Sequence, residues 1–159
     1  MKTTEEKIQV LSEIAKRLNE EKILWAAGAS VMLYLRNLVS EFNDLDLMVG
    51  EDDALRVREI LLKMGTLKES AAGSYATEHF YEFTIDGVDV DIMGGFRIVK
   101  DGTVYDCHLK SEDIKDSILV NGVIIPLDSL RNWLHYYKLM GRSQRVKVIR
   151  RHLLKPYLD

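Results

Sequence analysis

The chain has 159 residues, of which 47% are hydrophobic and 30% are charged, and its formal net charge is −3. This length predicts one domain, and this composition excludes a disordered protein. No apolar run reaches the ~20 residues of a membrane span, and the N-terminus has no apolar core of a signal peptide. The single cysteine, Cys107, excludes an internal disulfide. We therefore expect a cytoplasmic protein.

The first elements are an amphipathic helix over residues 3–19 and a short buried strand over residues 23–27. Thr3 and Glu6 have the spacing of a capping box, which satisfies free N–H groups where a helix begins. The helix is expected to cover one face of a sheet.

A glycine turn, Gly28-Ala29-Ser30, leads from this strand into a second predicted helix over residues 31–38. Glycine lets the backbone approach a ligand closely, and the start of a helix favours anions, so Gly28 and Ser30 are candidate phosphate-binding residues. Such turns are also common as purely structural features, so this pattern alone leaves both interpretations open.

Two carboxylates lie in the next predicted strand, over residues 44–49. Side chains alternate along a strand, so Asp44 and Asp46 point to one face while Leu45 and Leu47 point to the other. Neighbouring carboxylates in an apolar strand repel each other and resist burial. A divalent cation removes this conflict, and oxygen ligands suit Mg²⁺.

The middle of the chain predicts a helix over residues 52–64 and a weakly specified, mobile loop over residues 66–76. A β-hairpin follows, with strands over residues 79–85 and 88–93 joined by Asp86-Gly87, which is a strong turn signal.

The second strand of this hairpin again places two carboxylates, Asp89 and Asp91, on one face. A third acid opposite Asp44 and Asp46 would complete a metal site, and spacing does not decide which of the pair supplies it. Asp91 lies deeper in the apolar run and is favoured, whereas Asp89, near the turn, is expected to be solvated.

The C-terminal part predicts further hairpins around Asp101-Gly102 and Asn121-Gly122, and then two helices. The first helix follows Asp128 and ends at Gly141, and its apolar stripe is expected to lie in the core rather than to stack on a base. The second helix is expected to end before Pro156, because proline interrupts helices.

These helices carry a strong charge asymmetry, since residues 129–158 contain no acidic residue. Their eight cationic residues are Arg131, Lys138, Arg142, Arg145, Lys147, Arg150, Arg151 and Lys155. Such a segment attracts a polyanion, such as a nucleoside triphosphate or RNA, or else it balances the charge of an acidic body. The sequence leaves both alternatives open.

In its motifs the chain resembles the DNA polymerase β-like nucleotidyltransferase superfamily, and in particular its small stand-alone prokaryotic members, the minimal and abortive-infection-type nucleotidyltransferases. The motifs are the turn with Gly28 and Ser30, the Asp-x-Asp strand with Asp44 and Asp46, and the later acid Asp91. A C-terminal helix that follows the sheet and carries Lys138 and Gly141-Arg142 is a further match. The resemblance covers roughly residues 20–150.

The resemblance implies an α+β nucleotidyltransferase fold, with a mixed sheet flanked by helices and followed by C-terminal helices. We predict a single domain over residues 1–159, in which residues 127–155 form a basic helical extension. The chain departs from the family pattern at Ala27, taken as the usual first glycine of the turn, and at residues 41–43, which lack the threonine or arginine of many relatives.

The activity implied by the resemblance is transfer of a nucleoside monophosphate from a nucleoside triphosphate, such as ATP, to an acceptor hydroxyl. Asp44, Asp46 and Asp91 would hold two Mg²⁺ ions and carry the catalysis. Gly28, Ser30, Lys138 and Arg142 would bind the nucleotide.

The acceptor is not identified by the sequence. It could be a small hydroxylated molecule, a protein or a tRNA end, and a homodimer or partner protein could complete the site. Two other interpretations remain: a nucleotide-binding regulator without turnover, such as an antitoxin-like partner, and a structural cation site.

Overall fold

The structure, a computed structural model, describes residues 2–68 and 76–158, apart from the side chains of residues 156–158. Its α-helices are α1 (Thr4–Glu20), α2 (Ala29–Leu35), α3 (Ala54–Leu62), α4 (Leu130–Leu139) and α5 (Ser143–Leu158). Its strands are β1 (Trp25–Gly28), β2 (Leu45–Val49), β3 (Thr66–Leu67), β4 (His79–Ile85), β5 (Val88–Gly94), β6 (Arg97–Lys100), β7 (Thr103–Asp106), β8 (Asp116–Val120) and β9 (Val123–Leu127). Short 3-10 turns lie at Glu51–Asp53 and Ser111–Asp113.

A seven-stranded mixed sheet organises the molecule, with the strand order β3-β4-β5-β2-β1-β9-β8. Strand β2 runs parallel to β5 and β1 runs parallel to β9, whereas the other neighbouring strands are antiparallel. Strands β6 and β7 form a separate hairpin. The predicted α+β fold, a mixed sheet with helices, is therefore confirmed.

The core follows the alternation of the strands. Leu45 and Leu47 of β2 and Val90 and Ile92 of β5 are fully buried on the face opposite to the aspartates. Helices α1 and α3 contact each other and the sheet, and they bury the apolar faces predicted for them. Helix α1 begins at the predicted capping box, in which Thr3 and Glu6 exchange backbone-to-side-chain hydrogen bonds.

The three predicted hairpin turns are all present. In Asp86-Gly87, Asp101-Gly102 and Asn121-Gly122 both residues have positive φ values, between 49° and 78°. This backbone matches the twist of the flanking strands, which explains why these dipeptides are reliable hairpin signals.

The C-terminal end of the chain differs from expectation. Helix α5 runs to Leu158 and so continues through Pro156. Pro156 has no backbone N–H to donate to the carbonyl of His152, so one helical hydrogen bond is lost, and the helix ends two residues later.

The predicted loop over residues 66–76 also differs from expectation. Thr66 and Leu67 form β3, which pairs with β4 at the edge of the sheet. Residues 69–75, on which the rest of that prediction falls, lie outside the described residues.

None of the helices in the described part of the chain is long and apolar enough to cross a membrane.

Candidate active site

Acidic side chains form a row across neighbouring strands on one face of the sheet. Asp46 of β2 is the direct neighbour of Asp91 in the parallel strand β5, and Asp91 in turn lies opposite Glu82 of the antiparallel strand β4. On the other side of Asp46 the row ends at Gly28 of β1. Asp44 lies just before β2, two residues from Asp46, and is half-buried like Asp46 and Asp91.

Asp91 and Asp89, the two alternatives for the third acid, have different surroundings. Asp91 lies beside Asp46, whereas the exposed Asp89 is paired with Lys68, whose Nζ lies 3.0 Å from a carboxylate oxygen. Asp89 also accepts a hydrogen bond of 3.4 Å from the Thr84 hydroxyl. The geometry therefore groups Asp91, and not Asp89, with the carboxylate of Asp46.

Burial and mutual repulsion raise the pKa values of this group. Burial is the largest cause of the raised pKa of Asp46, which is about 8, and the charges of Asp91 and Asp44 add to it. Burial likewise raises the pKa of Asp91 to about 6, with contributions from Asp44 and Glu82. The pKa of Asp44 is also raised, first by burial and then by the charge of Asp89. Without a cation, the cluster therefore holds protons that isolated carboxylates would have lost at neutral pH.

Glu82 is a member of the row that the sequence reasoning missed. It lies on β4 with its side chain on the face opposite to Phe83, and its charge contributes to the raised pKa of Asp91. The signal was present in the sequence, because a two-residue turn at Asp86-Gly87 fixes the hairpin register that places Glu82 opposite Asp91.

The side chains in the row suit a hard divalent cation. Among residues 2–68 and 76–158, no group of three or more His, Cys, Asp or Glu side chains is already arranged as a metal site. The available donors are carboxylate oxygens that repel one another, and a cation such as Mg²⁺ would remove the repulsion that raises their pKa values. Asp44, Asp46 and Asp91 therefore fit this kind of ion chemically.

The glycine turn has a different geometry from the one expected. Ala27 is buried in β1, opposite Leu47, and the position with a left-handed backbone is Ala29, whose φ is +49°. At Ala29, therefore, the turn has an alanine in a backbone conformation that favours glycine. Ser30, the next residue, lines the cavity described below.

Gly28 is required by packing in this structure. A Cβ atom at this position would lie 2.9 Å from Met48 Cγ and 2.9 Å from Trp133 Cζ2. Its missing side chain therefore lets the indole of α4 lie directly over β1, at the end of the acidic row. The close approach of α4 is therefore sufficient to explain why glycine occupies this position.

A cavity of about 380 Å³ lies at this end of the row. Its lining residues are Ala29, Ser30, Glu41, Phe42, Asn43, Asp44, Asp46, Met93, Phe96, Trp133, Tyr137, Met140, Arg142 and Arg145. We call Asp44 and Asp46 its acidic wall, Arg142 and Arg145 its basic wall, and Phe96 and Trp133 its floor. Asp91, the neighbour of Asp46 in the sheet, is not among the lining residues. The volume falls within the range of small-molecule sites.

Trp133 on the floor is held in a defined position. Its Nε1 donates a hydrogen bond of 2.9 Å to the buried carboxylate of Asp128, whose backbone N–H donates to the Ala27 carbonyl at 3.0 Å. The Asp128 carbonyl accepts a bond of 2.8 Å from Arg36. Trp133 also stacks on Phe96, with ring centroids 5.9 Å apart. The apolar stripe of α4 is thus core, as predicted, and its edge forms part of the cavity floor.

The basic wall comes from the start of the last helix. Arg142 and Arg145 both line the cavity, and the guanidinium of Arg142 lies 5.8 Å from the ring centroid of Tyr137. Burial raises the pKa of Tyr137 to about 12, the two arginines oppose that shift, and Asp46 adds to it. Tyr137 therefore lies between the acidic and the basic walls as a neutral phenol.

The predicted nucleotide-binding residues do not all meet in this cavity. Ser30 and Arg142 line it together with Asp44 and Asp46, and Gly28 lies beneath Trp133 at its floor. Lys138 is exposed and lines a neighbouring cavity instead.

Arg145 lines the cavity as well, although the sequence analysis counted it among the C-terminal cations and not among the site residues. The sequence feature that could have identified Arg145 is its spacing of three residues from Arg142 at the start of a helix, because residues three apart lie on the same side of a helix.

Comparisons with known proteins identify relatives of the fold. No protein-family model and no curated protein matches the chain. Among solved structures, TM1012 from Thermotoga maritima, a candidate nucleotidyltransferase, is similar with a TM-score of 0.72 and 28% identity, over 97% of this chain and 96% of that one.

Two antibiotic-modifying enzymes share the architecture at lower identity. ANT(2")-Ia, in complex with adenylyl-2"-tobramycin, has a TM-score of 0.64 and 12% identity over 95% of this chain and 90% of its own. The lincosamide antibiotic adenylyltransferase LnuA, with lincomycin bound, has a TM-score of 0.61 and 12% identity over 89% and 95% of the two chains. At such identities the likeness concerns the fold. The resemblance to nucleotidyltransferases that the motifs predict is confirmed by the similarity to TM1012.

Proposed function

We propose that this chain, which has a nucleotidyltransferase fold, is an enzyme that transfers a nucleoside monophosphate from a nucleoside triphosphate to an acceptor hydroxyl. Two Mg²⁺ ions would serve as its cofactors. The similar structures support nucleotidyl transfer in general. The observation that carries the more specific proposal is a cavity lined by both the carboxylates of Asp44 and Asp46 and the guanidinium groups of Arg142 and Arg145.

In this mechanism the acidic row holds the metal and accepts a proton. Asp44, Asp46 and Asp91 would ligate the ions, and Mg²⁺ would withdraw charge from the phosphate oxygens during the displacement. The acceptor oxygen forms a bond to the α-phosphorus, the bond from that phosphorus to the bridging oxygen breaks, and pyrophosphate leaves. Asp91 would take the proton of the acceptor hydroxyl.

The opposite wall of the cavity binds the triphosphate. Arg142 and Arg145 present guanidinium groups that pair with phosphate oxygens in a bidentate manner. The Ser30 hydroxyl and the backbone at Gly28 would contact the terminal phosphates from the sheet side. Lys138, near the end of α4 and four residues before Arg142, contributes positive potential from outside the cavity lining.

A transfer assay tests this function. The purified chain is incubated with Mg²⁺ and each α-labelled nucleoside triphosphate, with and without added hydroxyl acceptors, and both pyrophosphate release and transfer of label are followed. The Asp44→Asn variant is expected to lose about 100-fold or more of the activity, because a group that stabilises the transition state is removed.

The Asp89→Asn variant is the matched control. It removes the same charge from the same sheet face, but the side chain of Asp89 is exposed and pairs with Lys68 and Thr84 rather than lying in the acidic row. It is expected to keep most of the activity. Bound label without pyrophosphate release would indicate a nucleotide-binding regulator and contradict the enzyme, as would equal activity in the wild type and Asp44→Asn.

A further inference from the structure

A second cavity lies next to the candidate active site, and we propose that it binds the phosphates of a single-stranded nucleic acid whose terminal hydroxyl is the acceptor. The inference rests on the proposed function, because it names the acceptor of that reaction. We call this cavity the basic groove. It has a volume of about 290 Å³ and is lined by Tyr137, Lys138, Gly141, Arg142, Ser143, Val146, Lys147 and Arg150.

The cations of the basic groove have no acidic partners in the part of the chain that the structure describes. Lys138, Arg142, Lys147 and Arg150 are all exposed, they line one cavity together, and no ion pair among the described residues involves any of them. Four cations side by side repel one another unless an anion lies between them. This excess of positive charge favours the interpretation of the C-terminal helices as a polyanion-binding segment over simple charge balance.

The basic groove and the active-site cavity share a wall. Arg142 and Tyr137 line both of them, so the groove lies directly beside the cavity that contains Asp44 and Asp46. An acceptor held by its phosphates in the groove would therefore place its end beside the carboxylates.

The row of cations extends beyond the groove along α5. Exposed Lys147, Arg151 and Lys155 recur at four-residue spacing and so form one stripe on the helix. The thirteen residues of α5 from Ser143 to Lys155 cover about 20 Å of helix at about 1.5 Å per residue. Such a length fits an elongated ligand with several phosphates better than it fits a single phosphate group.

The chemistry of the groove favours nucleic acid over the other acceptor classes. A polycationic acceptor would be repelled by the unpaired cations. A protein partner would need an apolar centre to its docking surface, but the apolar side chains of the groove, Tyr137 and Val146, are buried. Arginine and lysine at the rim are the residues with which proteins contact phosphodiester backbones.

A binding measurement without nucleotide tests the groove separately from the reaction. The anisotropy of a fluorescently labelled single-stranded RNA of 12 nucleotides is titrated with the wild-type chain and with the double variant Lys147→Glu/Arg150→Glu. The double variant is expected to bind at least about tenfold more weakly, because favourable phosphate contacts become repulsive. Contact with three phosphates predicts that wild-type affinity falls about 20-fold between 50 and 200 mM salt.

The matched control is Lys16→Glu/Lys63→Glu, which reverses two exposed cations on α1 and at the end of α3, away from the groove. The control changes the net charge by the same amount as the groove variant but leaves the groove intact, so it should bind RNA within about twofold of the wild type. Thermal unfolding of both double variants verifies that they are folded. Absence of RNA binding at 50 mM salt, equal weakening by the two double variants, or equally effective displacement by an acidic peptide would overturn the proposal.

Transfer onto the RNA then separates the two proposals. The Asp44→Asn variant should bind the RNA as the wild type does but transfer nothing to it. Binding through the groove without transfer by the wild type would contradict the proposed reaction and leave the binding site standing. Transfer to another hydroxyl acceptor that is unaffected by Lys147→Glu/Arg150→Glu would contradict the groove as the acceptor site while supporting the reaction.

Discussion

Asp46 is an ionisable side chain placed where the metal-free fold disfavours its charge. It lies between Gly28 and Asp91 in the sheet, and its pKa of about 8 has burial as its largest cause. Its unfolded-state pKa is the ordinary value near 3.8. The folded chain therefore binds a proton that the unfolded chain has released over most of the range between those two values.

This difference predicts an unusual pH dependence for the metal-free protein. Stability is expected to fall as the pH rises from about 4 to about 8, because over that range the folded state binds more protons than the unfolded state. We expect the Asp46→Asn variant to lose much of this dependence and to be more stable than the wild type at pH 8 by on the order of 1–2 kcal/mol. Thermal unfolding in a chelator at a series of pH values measures the effect.

Magnesium provides the second half of the same experiment. At pH 8 added Mg²⁺ should raise the melting temperature of the wild type, since the cation binds the folded carboxylates, and should do so less in Asp46→Asn. Stability that increases with pH in the chelator, or equal responses of the two proteins to Mg²⁺, would contradict the account of this residue.

Helix α4 packs directly on strand β1 at the candidate site, through the contact between Trp133 and Gly28. Gly28 leaves room for Trp133, and Asp128 fixes the indole through a hydrogen bond of 2.9 Å. The same contact closes the floor of the cavity, so the helix position and the shape of the site depend on each other.

The Gly28→Ala variant tests this contact. Its added Cβ would overlap Met48 and Trp133, so we expect a loss of about 1–3 kcal/mol of stability and a shift in the tryptophan fluorescence. The neighbouring Ala29→Gly variant is the control, because it relieves a left-handed backbone and should leave stability unchanged or raise it by up to about 1 kcal/mol. Wild-type melting and fluorescence in Gly28→Ala would show that the contact is not tight.

The elements differ in how far the sequence predicts them. The hairpins were predictable because Asp86-Gly87 and Asn121-Gly122 set a turn and a register locally. The placement of Asp91 beside Asp46 was anticipated only in outline, because it depends on the register of parallel β2 and β5, which come from distant parts of the chain. The orientation of α5 after Gly141 has no local signal either, so Arg145 was missed as a wall residue.

In the molecule as a whole, carboxylates and cations from distant parts of the chain line one cavity, with Asp44 and Asp46 in its acidic wall and Arg142 and Arg145 in its basic wall. The sheet supplies carboxylates and the C-terminal helices supply cations, and Tyr137 lies between them. The charge asymmetry visible in the sequence is therefore organised in space around the candidate site. A nucleoside triphosphate with Mg²⁺ has the matching distribution of charge.

This arrangement predicts unequal contributions from two cations of the C-terminal helices. Arg145→Ala should weaken binding of a nucleoside triphosphate about tenfold or more, because a charged hydrogen bond to phosphate contributes roughly 1.5–3 kcal/mol. Lys138→Ala, which removes a cation outside the cavity lining, should have a clearly smaller effect. Calorimetric titration of both variants measures the difference, and a larger loss in Lys138→Ala would contradict the assignment of the basic wall.

The central claim is that Asp44, Asp46 and Asp91 hold metal ions against a triphosphate bound in the adjoining cavity. A crystal structure of the chain soaked with Mg²⁺ and a non-hydrolysable nucleoside triphosphate tests it most directly. The account predicts magnesium density ligated by these three carboxylates and phosphates in contact with Ser30 and Arg142. Triphosphate bound elsewhere, or density that leaves Asp91 without a metal ligand role, would contradict it.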